Sequence, residues 1–186
     1  MTIISRRLLI AGAVCGAALT TACNNGLGGN GAAEIDARVD ESLRYLFSTY
    51  PATSELRDKS AGMLVMPLMS EAGFGVGGAY GRGALRVGGT TVDYYSATEA
   101  SFGIQIGAQQ YAHVLFFMTD EALANFRNSP GWVAGADMQY AVLNDAQNFS
   151  TDSTVFGAPV VAVVFGQAGF IAGVTLEGTK YNRIIP

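Results

Sequence analysis

From Glu34 to Tyr50 the apolar positions recur three and four residues apart. Ile35, Val39, Leu43, Leu46 and Phe47 form one stripe, and Asp36, Asp40, Glu41 and Arg44 lie off it. That spacing predicts an amphipathic helix, stopped by Pro51. Glu34 and Asp36 near its start suit the helix dipole. Helices that lie in a lipid surface carry Lys and Arg on the polar face. This polar face is mostly acidic, so the stripe is read as packing on a core. Thr53 to Ser60 predicts a second, short helix with Thr53 or Ser54 as its cap.

The pattern then changes period. Gly62 to Met66 is an apolar run of strand length, closed by Pro67. Between Ala72 and Val87, glycine falls at 73, 75, 77, 78, 81 and 83, and Phe74, Val76 and Tyr80 alternate with small residues. This predicts two glycine-rich strands of a strongly curved sheet, because glycine lets a second layer approach and lets a sheet bend. Thr91–Ser96, Ser101–Gly107 and Tyr111–Met118 predict three further strands. Thr119 or Asp120 caps a helix through Asn128, with Leu123 and Phe126 inward. Met138–Leu143, Thr154–Phe165 and Phe170–Glu177 complete the strands, with Val160–Phe165 central and Gln167-Ala168-Gly169 as a hairpin turn. The fold class is α+β: a curved, largely antiparallel sheet or barrel-like β core with packed helices.

The N-terminal segment has a separate logic. Arg6 and Arg7 precede an apolar run from Leu8 to Leu19, the form of a signal peptide. Thr20-Thr21-Ala22-Cys23 resembles the lipobox of bacterial lipoproteins, although Thr20 stands where that pattern prefers Leu. The resemblance implies cleavage before Cys23, diacylglycerol on its sulfur and a fatty acyl group such as palmitate on its amine. Residues 1–22 are thus read as signal, 23–33 as a flexible tether and 34–186 as one domain. Asn24, in place of Asp, favours the outer membrane, with the domain in the periplasm or at the cell surface. Ser5-Arg6-Arg7-Leu8-Leu9 fits either a twin-arginine export signal or an ordinary charged n-region.

Charge and composition narrow the chemistry. The chain carries a formal charge of −4. Loss of Arg6 and Arg7 leaves the domain near −6, so nucleic acid is not expected as a partner. Charged residues are only 14% of the chain, yet beyond the N-terminus no run reaches the roughly 18 apolar residues of a membrane helix. Both cysteines, Cys15 and Cys23, precede the domain, and His113 is the only histidine. No metal site and no cofactor is expected. Gly73-Phe74-Gly75-Val76-Gly77-Gly78 satisfies G-x-G-x-x-G in letters, but another strand pattern follows where a dinucleotide site needs a helix. His113 has no nucleophile elbow near it and is read as structural. No enzymatic activity is expected.

Ala61–Pro67, then Gly73–Gly83, then Tyr94-Tyr95-Ser96, Ala100–Ala108 and Phe117–Phe126 resemble, in order, the core of the SYLF (Ysc84-like) domain. The resemblance spans Ile35 to Gly173. It implies a lipid-binding module without enzymatic activity, here carried by a bacterial lipoprotein and directed to a phospholipid membrane. The residues expected to touch lipid are Arg82 and Arg86 for phosphate, with Tyr80, Phe74 and Trp132 for apolar contact. Trp132 also fits a residue packed on the sheet. The alternative is a non-catalytic structural module that meets another envelope protein.

Overall fold

The computed structural model describes residues 30–135, 138–142, 157–169 and 176–186. Helix α1 runs Gly31–Thr49, three residues ahead of the Glu34 start that the stripe suggests. Ile35, Val39 and Leu46 of the stripe are buried, and Leu43 and Phe47 pack partly beside them. Pro51 opens a 3-10 turn, Pro51–Thr53, and α2 follows as Ser54–Lys59. The expected side-chain cap of α2 is absent. Thr53 Oγ1 instead donates backwards to the Tyr50 carbonyl at 2.7 Å.

The largest departure from expectation is strand length. Residues expected to make three strands form one, β1 (Gly62–Val87), and its partner β2 (Thr90–Phe117) absorbs three more. Pro67 does not end β1 because it sits in a bulge. The register steps from Met66↔His113 to Met69↔Tyr111 there, so the ladder does not need the missing N–H. The G-x-G-x-x-G letters lie inside β1, which continues as strand to Val87. Gly88 and Gly89, with φ of 57° and 82°, make the tight turn to β2.

The long hairpin is curved, as expected, and its own glycines permit the closure. The first and last parts of β1 lie against each other. A Cβ on Gly83 would overlap the Val65 carbonyl oxygen, and one on Gly62 would stand 3.2 Å from the Arg86 carbonyl. Only a residue without a side chain fits at Gly83.

The sheet has six strands among the described residues, in the order β3-β6-β2-β5-β4, with β1 on β2. Strand β6 (Lys180–Ile184) pairs with the start of β2, and β5 (Val160–Gly169) with its end. The β3 (Trp132–Val133) and β4 (Gln139–Val142) strands extend the two sides. Strand β4 runs parallel to β5, the exception in an otherwise antiparallel sheet. The short β3 and β6 strands were not anticipated. Gln167-Ala168-Gly169 is strand, not turn. Residues 170–175, expected to be strand, lie outside the described residues, as do Thr154 to Phe156 and Cys23.

Helix α3 (Asp120–Asn128) starts at Thr119, whose Oγ1 accepts from Ala122 N at 3.1 Å. Successive strand residues point to opposite faces and so divide the core in two. Tyr95, Ala97, Tyr111, Leu115 and Phe117 of β2 face inward with Leu123 and Phe126 of α3. Ala112, Val114 and Phe116 face outward beneath α1 and α2. Each large side chain so buried contributes about 1.5–3 kcal/mol. Among the described residues, no helix is long and apolar enough to cross a membrane.

Candidate functional site: a groove between α1 and the sheet

Helix α1 crosses the outer face of the sheet with Ile35, Val39 and Leu46 beneath it. At 3.6 residues per turn, Glu34, Arg38, Ser42 and Tyr45 lie on one flank, and Asp36 and Asp40 on the other. The two flanks do different things.

On the acidic flank, α1 is bolted down. Arg86 Nη2 reaches Asp40 Oδ1 at 2.7 Å and Asp36 Oδ1 at 3.4 Å. Thr91 Oγ1 donates to Asp36 at 2.6 Å, and Tyr94 Oη donates to it at 2.8 Å. Burial and the Asp36 carboxylate raise the Tyr94 pKa. The Arg86 side chain is only 12% exposed, so its charge is committed to α1.

The opposite flank is open. An apolar cavity of about 450 Å³ lies among Tyr45, Pro67, Leu68, Ala112, Phe165 and Gly166. A smaller, more polar depression of about 150 Å³ adjoins it, lined by Glu34, Arg38, Ser70, Tyr80 and Arg82. Leu68 and Arg38 line both, which makes them one groove along α1. Its rim is unusually apolar for surface: Tyr45 is 43% exposed, Leu68 37% and Tyr80 53%. The Tyr45 ring stacks near Phe165, with centroids 6.2 Å apart.

Two bulges build the floor. On β1, Pro67 and Leu68 together oppose Ala112. On β5, Gly166 and Gln167 together oppose Tyr111, and Gly166 takes φ of 63°. Both neighbours of β2 therefore swell at one level. Bulges re-aim side chains and commonly lie beside functional sites.

The inward face behind that floor carries polar groups. Gln109 Nε2 donates to Glu71 Oε2 at 2.6 Å, and Thr179 Oγ1 donates to Glu99 Oε2 at 3.1 Å. Burial raises the Glu99 pKa, with Glu71 adding to the shift and the Thr179 hydrogen bond opposing it. The Tyr111 hydroxyl stands beside Glu99, short of hydrogen-bond geometry, and burial with both carboxylates raises its pKa. Fully buried His113 shares a 2.8 Å hydrogen bond between Nε2 and Tyr181 Oη, and burial lowers its pKa to about 3. No group of three or more His, Cys, Asp or Glu that could hold a metal ion occurs among the described residues.

The sequence paired Arg82 with Arg86 at one phosphate, but the structure separates them. Arg82 is exposed in the groove and has no ion pair among the described residues, whereas Arg86 grips the far flank of α1. Tyr80 joins Arg82 in the groove. The backbone of Phe74 pairs with Ile106 at another bulge of the hairpin. Trp132 packs against Phe126 and Tyr181, with centroids 5.5 and 5.8 Å away, and does not line the groove. Sequence reasoning missed Arg38, Tyr45, Leu68 and Phe165. Pro67 inside an apolar run was the available sign of a bulge.

No curated protein matches the chain. Residues 98–183 match a family model, Ysc84, described as Las17-binding protein actin regulator. The match takes in most of β2, all of α3 and β3 to β5, and β6 except Ile184, and hence Glu99, Tyr111, His113 and Tyr181. Over residues 98–183, somewhat less than half of its length, the chain is thus similar to the Ysc84 family.

Proposed function

We propose that the chain is a lipoprotein anchored through Cys23 to the bacterial outer membrane, whose domain binds phospholipid at the envelope and performs no catalysis. The observation that carries the reading is the groove: an apolar trough that ends at Arg82, a cation with no ion pair among the described residues. A phosphate beside Arg82 gains charge-assisted hydrogen bonds, and Tyr80 and Leu68 supply apolar contact. The polar end of the groove also lies at the tethered end of α1. Eight residue steps separate Cys23 from Gly31, a reach of about 28 Å at full extension. Acyl chains on Cys23 hold the domain there, at about 0.8 kcal/mol per buried methylene.

The test is flotation of the domain without its anchor, residues 24–186, with phosphatidylglycerol vesicles. Co-flotation that weakens on Arg82→Glu supports the reading. The absence of any flotation overturns it. A second reading, a protein-interaction module, draws on the family description, which names a protein partner. It predicts no flotation and retention of the domain by another envelope protein.

A further inference from the structure

The two ends of the groove differ in size and chemistry, and that difference defines a ligand. The mostly apolar end is the larger, and Tyr45, Leu68, Ala112 and Phe165 line it together with the polar Arg38, Glu41, Ser42 and Gln110. The polar end is about a third of that volume. Its cations are Arg38 and Arg82, and Glu34 sits among them. Glu34 Oε1 holds Arg38 at 2.8 Å, so Arg82 is the charge left for a ligand among the described residues. From Glu34 to Tyr45 the groove follows eleven residue steps of α1, about 16 Å. That is a trough with one mostly apolar end and one smaller end that carries Arg82.

We propose that this groove holds a single acyl chain with a small anionic head: a long-chain fatty acid, its carboxylate on Arg82 and its chain along Leu68 and Phe165. The inference rests on the lipid-binding reading and specifies the ligand of the same site. A guanidinium and a carboxylate form two parallel hydrogen bonds, so one arginine suffices for this head. One apolar trough takes one chain. A two-chain lipid seats only one of its chains in this trough. The bulge on β1 matters because Pro67 and Leu68 leave the β1–β2 ladder there, opposite Ala112, and line the trough.

The experiment is calorimetric titration of the anchor-free domain with tetradecanoate, below its critical micelle concentration, and with tetradecanol, which has the same chain and no charge. Flotation on phosphatidylglycerol vesicles runs alongside. The expected result is one-to-one binding of tetradecanoate, about tenfold tighter than tetradecanol. Arg82→Gln is expected to erase that difference. Leu68→Trp fills the trough from an exposed bulge position and is expected to weaken both ligands at least tenfold. Thermal melts of each variant confirm folding, and Arg57→Gln on α2 serves as the remote control. Equal binding of acid and alcohol, or full binding by a folded Leu68→Trp protein, overturns the proposal. Vesicle flotation without tetradecanoate binding overturns it and leaves the phospholipid reading standing. Loss of both removes both.

Discussion

Arg86 Nη2 lies 2.7 Å from Asp40 Oδ1, although 46 residues separate them, and this contact ties helix α1 to the far end of β1. Asp36 joins it through the same Arg86 nitrogen and two further donors, Thr91 and Tyr94. Arg86 is 12% exposed and Asp36 33%, whereas Asp40 is 59% exposed. Arg86→Ala leaves two carboxylates facing part-buried polar groups. It is expected to lower unfolding free energy by about 2 kcal/mol in urea titration. The exposed Arg38–Glu34 pair is the contrast. Arg38→Ala is expected to change stability by less than about 0.5 kcal/mol.

The closure of the hairpin makes a second prediction. Gly83→Ala places a methyl group on the Val65 carbonyl, a backbone atom that cannot swing aside. The expected loss is about 3 kcal/mol, or failure to fold. Gly157→Ala meets nothing within 4 Å and is expected to be neutral or slightly stabilising. Thermal melts of the two variants measure the difference.

His113 and Glu99 pull stability in opposite directions with pH. Burial lowers the His113 pKa to about 3, so the folded state keeps the ring neutral while the unfolded chain protonates near 6.5. Stability from this group is full above pH 6.5 and falls as pH drops below it. Between pH 7 and 5 the expected loss is about 2 kcal/mol. His113→Gln keeps a partner for Tyr181 and is expected to flatten that slope in urea titrations across the range. Glu99 has the reverse sign. Its pKa is raised, so its contribution is full below its ordinary carboxyl pKa and is lost as pH rises through the folded value. Glu99→Gln is therefore expected to stabilise the protein at neutral pH.

Trp132 is the chain's single tryptophan and lies against Phe126 and Tyr181, not in the groove. Its emission is expected to stay unchanged when lipid binds and to shift red only on unfolding. A blue shift on addition of vesicles would place Trp132 at the lipid surface instead.

Local signals were legible in the sequence. The stripe Ile35–Val39–Leu46 gave α1, Thr119 gave the cap of α3, and the glycines of 72–87 gave the curvature. What failed was continuity. Pro67 and the glycine cluster are strand breakers by composition, but bulges absorb the proline and Gly75, and the other five glycines of 72–87 stay in the ladder. Long-range pairing was also out of reach. Nothing near Lys180–Ile184 says that it pairs with Tyr94–Thr98, or that Tyr181 meets His113 across 68 residues. The candidate site was half visible for the same reason. Arg82 and Arg86 are four residues apart in a strand and look equivalent until α1 is laid between them. One is then left open and the other is consumed. Tyr45, Leu68 and Phe165 come from three elements that only the fold assembles.

Tyr111 and Ala112 are consecutive, and they point to opposite sides of β2. Ala112 lines the floor of the groove, and on the other side the Tyr111 hydroxyl stands beside Glu99. A single strand, with no layer between, therefore separates the groove from the interior carboxylates.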